Sequence, residues 1–569
     1  MKNVQVAWVF YEMADLLEIK GADFFKIRAY RNAAKAISRL EKPVEELVRQ
    51  GLLNKIPGIG KAISAKTEEI LETGTCRAYQ QLLEQVPRGL LEVRLLPGIG
   101  PKKARTLFQE LGITSLEELE KAARERRVRK LPGMSAKTEF EILRSIQGLK
   151  TGRKEIVLGL ARDLGSELVE YLSTLPAVKK VELGGSTRRW KETVSDLDII
   201  AAAEDAGEVL SALASHPRVT EVLRREENRI QVLTWWGVEV DLTVVPPEQF
   251  ITAWHRSTGS RKHYQHLTRL AESKGFKLDH RALITPGGRR LDVHSEADIY
   301  THLGLEYIPP ELREDNGEIE AAETGSLPRL VELEDIKGDL HTHTTWSDAA
   351  ASLEEMAAGA KKKGYSYMAV TDHSGSLKIA NGLSAERLLK QVKEIEKLNE
   401  QQRDFTVLTG VECDILADGR LDHPDDLLAQ LDVVVASVHT GFKQDKETMT
   451  NRIIAAIENE HVDIIGHVSG RLLGRRGGYE LDMERVLEAA AKYDTVMEIN
   501  SSPDRLDLSE ENARLAKELG VKVAINTDAH DLKRLNEMEY GVAVARRAWL
   551  TPDDVVNTMD VEDLMKKLK

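Results

Sequence analysis

Only two cysteines occur in 569 residues, Cys76 and Cys413, far apart along the chain. That excludes a disulfide framework and a zinc site built from thiolates. No run of about 18 apolar residues is present, which excludes a membrane-spanning helix. The first residues, Met1-Lys2-Asn3-Val4-Gln5, lack the apolar region and cleavage site of a secretory leader, so a cytoplasmic protein is expected. Net positive charge is absent overall: 80 Lys+Arg stand against 93 Asp+Glu, or −13, which argues against a nucleic-acid partner until it is divided. Residues 1–150 carry 27 Lys+Arg against 19 Asp+Glu, or +8, and the remainder carries 53 against 74, or −21. A basic front third therefore precedes an acidic body. At 569 residues with 41% hydrophobic content, three or more domains are expected, since single cores rarely exceed roughly 250–300 residues.

What the acidic body does contain is a series of metal ligands in one register. Short apolar runs, each followed or ended by such residues, recur through the last third. Ile336–Leu340 leads to His341, His343 and Asp348, and Tyr367–Val370 leads to His373. Phe405–Val411 leads to Glu412, Val433–Val438 to His439, and Val462–Gly466 to His467. Val521–Asn526 leads to Asp528 and His530. A seventh run, Thr495–Ile499, ends at Asn500 without an evident ligand. Helix-like stretches such as Ser352–Lys363, Ala385–Gln402 and Ser509–Leu519 separate most of them. A distorted (β/α)7 barrel is predicted, because successive strand ends in a barrel converge on one face. One histidine after a strand is ordinarily a satisfied structural residue. Six histidines, two aspartates and one glutamate exceed a single four-coordinate zinc site and imply two or three ions. Imidazole mixed with carboxylate suits zinc, manganese or iron better than calcium or magnesium.

The basic third reads as helical. Ile56-Pro57-Gly58-Ile59-Gly60-Lys61 is repeated as Leu96-Pro97-Gly98-Ile99-Gly100-Pro101, and lysines follow each, Lys61 and Lys66 in one, Lys102 and Lys103 in the other. This is the helix-hairpin-helix pattern. Its glycines let the backbone approach a phosphate, and the amides of the next helix point at it. Such contacts position DNA without reading its sequence. A third copy, Leu131–Lys137, lacks the second glycine and reads as a packing relic. The arginines at 124, 126, 127 and 129 with Lys130 form either a solvated face or a further phosphate contact.

In the middle third, a strand over Ala177–Leu183 leads into Gly184-Gly185-Ser186-Thr187-Arg188-Arg189, and then Asp196-Leu197-Asp198 opens a second strand. Alternation places Asp196 and Asp198 on one side, and a third strand, Val238–Val244, offers Asp241. Asp-x-Asp alone is weak and usually only an edge strand. Three carboxylates on adjacent strands make a cage for two hard cations, which can clamp the attacking and leaving oxygens of a phosphoryl transfer. The Gly-Gly-Ser turn supplies amides for a triphosphate, with Arg189 as a charge-matched clamp.

Together these blocks resemble the bacterial type of family X DNA polymerases with a C-terminal PHP (polymerase and histidinol phosphatase) domain. The match covers essentially the whole chain. It is carried by the helix-hairpin-helix turns, Gly-Ser-x-Arg-Arg with Asp-Leu-Asp, Thr258-Gly259-Ser260, the stretch Tyr307–Asp315 and the nine-ligand set. The resemblance implies a multidomain α and α/β chain. Its parts are a lyase-like helix-hairpin-helix domain over 1–85, fingers over 86–150, a nucleotidyltransferase palm over 151–250, a thumb over 251–317, a linker over 318–335 and the PHP barrel over 336–569. It implies that Asp196, Asp198 and Asp241 hold two Mg²⁺ or Mn²⁺ ions, and that Gly185, Ser186, Arg189, Thr258 and Gly259 meet an incoming nucleotide. It implies that Gly58, Gly60, Lys61, Gly98, Gly100 and Lys102 contact DNA. It also implies that His341, His343, Asp348, His373, Glu412, His439, His467, Asp528 and His530 hold two or three Mn²⁺ or Zn²⁺ ions for 3′–5′ exonuclease or abasic-site chemistry. Lys66 falls where the family has a Schiff-base lysine, although Ala62 replaces a lysine that supports it. Family members often place Tyr-Phe before the Thr-Gly-Ser turn and Asn after it; here Arg256-Ser257 and Tyr264 stand there.

The expected function is a monomeric repair polymerase acting on gapped or primed DNA with deoxynucleoside triphosphates. The alternatives are a nuclease or phosphoesterase with a weakened polymerase centre, and a DNA-end-binding scaffold.

Overall fold

The computed structural model describes residues 3–568 apart from 39, 41, 57, 95, 97, 98, 133, 135–138, 140, 141, 144, 145, 147–154, 217, 235, 236, 403 and 475. It divides into two compact units, Met1–Lys154 and Glu155–Lys569.

The first unit is helical. Its helix Asn3–Lys20 buries Val6, Phe10, Met13, Ala14 and Leu17, apolar nearly all round, as a central element must be. Gly74 and Gly112 end helices Lys61–Thr73 and Pro101–Leu111 in the left-handed conformation, where a side chain would be strained. One continuous core runs from Val6 to Ile146, so the segments 1–85 and 86–150 share their buried surface.

The second unit begins with a five-stranded sheet. Its strands are β1 (Val178–Leu183), β2 (Asp196–Ala203), β3 (Val219–Arg225), β4 (Arg229–Thr234) and β5 (Glu239–Val245), in the order β1-β2-β5-β4-β3. Strands β2 and β5 run parallel at the centre with Asp198 opposite Asp241, and the other pairings are antiparallel. After its two aspartates β2 reads Ile-Ile-Ala-Ala-Ala, all buried. β3 is a solvated edge whose Glu221, Arg224 and Arg225 discourage further strand pairing. A second core follows, built on Leu267, Leu283, Ile299, Tyr300 and Ile308. Here the expected linker is corrected. Residues Glu318–Thr324 form a helix whose Ile319 and Ala322 join this core, and whose Glu318 is fully buried against His263. Its alanines and glutamates are good helix formers.

The last third is a seven-stranded parallel sheet with strands in sequential order: β6 (Gly338–Thr342), β7 (Tyr367–Val370), β8 (Thr406–Asp414), β9 (Val433–Ser437), β10 (Ile464–Ile465), β11 (Val496–Asn500) and β12 (Val523–Asn526). Thr342 bridges Ala529, and the Thr527 hydroxyl donates to Asp339, bringing the last strand back to the first as a barrel requires. Alternate residues form two layers. Tyr367, Ala369, Leu408, Val433, Val435, Ile464 and Ala524 belong to one, completed by Leu564 and Leu568 of the helix Val561–Leu568. Met368, Val370, Val434, Ala436, Met497 and Ile525 belong to the other, shared with helices such as Leu353–Lys362 and Ala385–Glu400. Glu412 lies inside β8 rather than beyond its end, because apolar Cys413 carries the pairing with β9 on to Asp414. Among the described residues, no helix is long and apolar enough to cross a membrane.

Candidate active sites

In the first unit, Gly60 and Gly100 cap their helices with nearly the same backbone, φ −83°, ψ 170° and φ −82°, ψ 175°. Neither glycine supplies a side-chain cap, and the space a Cβ would take at either is open. Lys61 and Lys102 fall in the first turns of these two helices, beside the amides a phosphate would use. Gly58 has φ +90°, so the turn needs glycine there. Gly98, and Gly133 with residues 135–137 of the third copy, lie outside the described residues. The Lys66 amine donates to the Ala62 carbonyl at 3.1 Å and sits 6.0 Å from the centre of the Tyr30 ring. In the arginine cluster, Arg124 pairs with Glu120 at 2.7 Å, Arg129 with Glu139 at 2.7 Å and Arg127 with Glu125 at 3.4 Å. Three of the four arginines are thus engaged by carboxylates, those of Glu120 and Glu139 being buried.

A cleft of about 830 Å³ opens over the centre of the five-stranded sheet, and Gly185, Ser186, Arg189, Asp196, Asp198 and Gly259 all line it. The glycine before Ser186 is dictated twice. Its φ is +58°, and a Cβ there would stand 2.0 Å from Asp198 Oδ2. Gly185–Arg188 form a single helical turn rather than an open loop. Burial, and then the charges of Asp196 and Asp241, push Asp198 up to about 7. Burial and Asp241 also raise Asp196. Asp241 is directed differently, since the Arg229 guanidinium donates to both its oxygens, one at 2.7 Å. The triad is not among the groups whose ligand atoms all lie within 4.8 Å of one another. Repelling carboxylates raised toward neutrality fit hard cations as partners.

Thr258 is buried, and its hydroxyl takes a hydrogen bond from Arg188 at 2.5 Å and donates to the Trp254 carbonyl at 2.7 Å. It therefore supports the turn from behind, where a nucleotide contact was expected, while the Thr258 carbonyl accepts from Arg189. Arg256, Ser257 and Tyr264 do line the cleft. Burial pushes the Tyr264 phenol up to about 12, keeping it neutral.

The barrel gathers the nine residues expected as ligands. His343, Asp348, His373 and His530 form one group with ligand atoms within 4.8 Å; His341, His343 and Asp528 form a second; His373, Glu412 and His439 form a third. His467 joins through Glu412, with Nε2 2.9 Å from Oε1. His343 Nε2 is 3.2 Å from Asp528 Oδ1, His341 Nε2 is 3.4 Å from Glu412 Oε2, and His530 Nε2 is 3.4 Å from Asp348 Oδ1. Ligand atoms about 2.1 Å from one tetrahedral ion would be about 3.4 Å apart, so these edges suit shared cations. His341 Nε2, both His343 nitrogens, His373 Nδ1, Glu412 Oε2 and His467 Nδ1 are buried with no hydrogen-bond partner among the described residues. Buried polar atoms are costly to leave so unless a ligand takes them. His467 and Asp528 hold positive φ, +25° and +52°, a departure characteristic of functional sites.

The electrostatics pull in both directions. Burial opposes charge on His341, yet Glu498, Glu412 and Asp528 hold it well above the usual imidazole range. Burial, then the neighbouring His530 and His373, lowers His343 to about 3. Three carboxylates missed in sequence stand behind the ligands. Glu498 Oε1 is 2.7 Å from His341 Nδ1, Asp414 Oδ1 is 2.5 Å from His439 Nδ1, and Asp339 joins Thr527 at the seam. A charged residue within an apolar strand, as in Val496-Met497-Glu498-Ile499, was the available signal.

Three carboxylates beside a glycine turn, with a barrel whose clustered histidines and carboxylates could hold metal ions in the same unit, define an enzyme of phosphoryl-transfer chemistry with two candidate centres. Four stretches match known families: residues 1–76 a helix-hairpin-helix domain, 88–147 a SAM-like helix-hairpin-helix tandem, 253–314 the DNA polymerase beta thumb, and 339–502 the PHP domain. The DNA polymerase/3′-5′ exonuclease PolX of Bacillus subtilis (strain 168) is 40% identical over 560 residues, covering 98% of this chain and 97% of that protein. A protein named "Probable phosphatase" from Thermoanaerobacter sp. (strain X514) is 38% identical over 242 residues, 41% of this chain and 94% of that one. Another of that name, from Shewanella sp. (strain MR-4), is 31% identical over 229 residues, 38% of this chain and 86% of that protein. The chain belongs to the bacterial family X DNA polymerases that carry a C-terminal PHP domain.

Proposed function

We propose that this chain fills short gaps during DNA repair and trims 3′ ends with the same polypeptide. The observation that carries this reading is the convergence of Gly185, Ser186 and Arg189 with Asp196 and Asp198 in one cleft. Asp196, Asp198 and Asp241 would hold two Mg²⁺ or Mn²⁺ ions, which when bound neutralise the charge that develops during nucleotidyl transfer. The small residues Gly185 and Ser186 leave room for a triphosphate, Arg189 supplies a guanidinium, and Gly259 lets the facing backbone turn close by. Gly58, Gly60, Lys61, Gly98, Gly100 and Lys102 would grip the DNA backbone. Lys66 is the candidate for abasic-site lyase chemistry.

At the barrel, His341, His343, Asp348, His373, Glu412, His439, His467, Asp528 and His530 would hold two or three Mn²⁺ or Zn²⁺ ions, which when bound supply Lewis acidity for phosphodiester hydrolysis. Glu498 and Asp414 orient the imidazoles of His341 and His439. Arg505, 3.8 Å from Asp528, adds a cation for the substrate backbone. We assign 1–85 and 86–150 to lyase-like and fingers segments, 151–250 to the palm, 251–317 to the thumb and 336–569 to the barrel, in a monomer acting in the cytoplasm on gapped or primed DNA.

Primer extension on a single-nucleotide gap tests this. Asp198→Ala and Asp241→Ala should abolish incorporation, and incorporation at the wild-type rate by either would overturn the polymerase assignment. His341→Ala and Asp528→Ala should remove 3′-end degradation and leave incorporation. A second reading, a nuclease with a weak polymerase, is favoured by Arg256, Ser257 and Tyr264 in the cleft. Gap filling that requires far more nucleotide than physiological supply would select it.

A further inference from the structure

Four consecutive residues after the Gly-Ser turn are each held by the barrel. The Arg189 carbonyl accepts from Arg547 at 2.5 Å. Trp190, in the left-handed region at φ +58°, packs against the barrel's core, its ring 5.5 Å from Tyr540 at 82°. Lys191 donates to Glu510 at 3.1 Å, and Glu192 accepts from Arg471 at 2.7 Å. The side chain of Arg189 is tied to the same place. Its Nε donates to Glu314 Oε1 at 2.9 Å, and that oxygen also takes both terminal nitrogens of Arg547 at 3.3 Å. The Arg547 side chain is 2% exposed; the residue ends the helix Met538–Arg547 and is itself paired with Glu510. Its neighbour Arg546 donates to Glu311 at 2.8 Å.

We propose that the barrel positions Arg189 in the nucleotide cleft through Arg547 and Glu314, so that Arg547 is a positioning residue of the polymerase centre. This rests on reading Arg189 as the triphosphate's partner. The physical case is a sharing of charge and a fixing of direction. Arg189 has Nε on Glu314 and one terminal nitrogen on the Thr258 carbonyl, which aims the remaining donors while the side chain lines the cleft. Glu314 paired with Arg189 alone would neutralise the charge a triphosphate must meet. Arg547 divides that carboxylate between two guanidiniums and pins the Arg189 backbone as well. Arg547 is not among the nine ligands of the barrel centre, so the two activities are separable by substitution here.

The test uses the full chain on a single-nucleotide gap, measuring KM for the nucleotide and kcat for wild type, Arg547→Gln, Arg547→Lys, Arg189→Gln and the double variant. Thermal melting and 3′-end degradation on the same substrate accompany them. Arg547→Gln should raise KM about ten-fold, the worth of one charge-assisted hydrogen bond, and leave kcat and the degradation rate within about two-fold. Arg547→Lys should recover part of the loss. In the Arg189→Gln background, Arg547→Gln should change KM no further. A wild-type KM in folded Arg547→Gln and Arg547→Lys overturns the proposal. So does an undiminished ten-fold effect without Arg189. If Arg547→Gln does not fold, Arg547→Lys decides alone. Absence of incorporation by the wild-type chain would instead overturn the polymerase reading.

Discussion

Glu498 Oε1 lies 2.7 Å from Nδ1 of His341, and its other oxygen accepts the backbone amide of His467 at 2.7 Å. One buried carboxylate thus orients two residues of the nine-ligand set and directs Nε2 of His341 toward Glu412 and Asp528. Removing such a support typically lowers metal affinity ten- to a hundred-fold. Glu498→Gln should therefore lose barrel metal on dialysis against a weak chelator, measured by elemental analysis. Degradation of 3′ ends should fall at low Mn²⁺ and recover at high Mn²⁺, while gap filling stays at the wild-type rate. Retention of full metal content would contradict this role.

Gly185→Ala should damage the cleft without unfolding the sheet. The new methyl would fall 2.0 Å from Asp198 Oδ2, at φ +58°, so both Asp198 and the turn must shift. Misplacing a reacting group by about 1 Å costs on the order of a hundred-fold, and a loss of that size in kcat for insertion is expected. Degradation at the barrel should be unchanged. An insertion rate within two-fold of wild type would contradict the close packing of turn and aspartate.

Much of this was legible because strand chemistry is periodic. Tyr367–Val370 occupies its anticipated span, and eight of the nine expected ligands fall into three close groups. Legibility ended where partners come from distant segments. Nothing local to Glu498 announces His341, and nothing local to Arg547 announces Glu314. Thr258 shows the same limit: its motif marks a turn, and only packing turns the hydroxyl to Arg188. The segment after Gly317 was expected as a linker, but Ile319 and Ala322 are buried in the core built on Leu267 and Tyr300.

Glu296 should be a stability determinant of the contact between the turn at Arg188 and the segment at Arg313. It is buried between Arg188, at 2.5 Å, and fully buried Arg313, at 2.7 Å. Burial alone would raise its carboxyl, but Arg313 and Arg188 hold it well below the ordinary range. Glu296→Gln leaves two guanidiniums sharing no anion, and a loss of about 3–5 kcal/mol is expected from denaturant unfolding. Because the folded pKa is depressed, this contribution is fully present above the unfolded value of about 4.3 and declines as pH falls below it. Wild type should lose stability below that pH more steeply than Glu296→Gln. Parallel acid limbs would contradict the pairing.

The two helix-hairpin-helix turns should act through phosphate rather than sequence. Gly60 and Gly100 share one cap geometry, and Lys61 and Lys102 follow them in the first helical turns. A lysine that neutralises one phosphate releases condensed counterion, so log affinity falls with log salt by nearly one unit per contact. Lys61→Ala and Lys102→Ala should each reduce that slope by about 1 and weaken binding equally on unrelated gapped sequences. Fluorescence anisotropy across a salt series measures it. The double variant should lower the slope by about 2 if both turns touch backbone at once. A slope equal to that of either single variant would mean that only one turn meets the DNA.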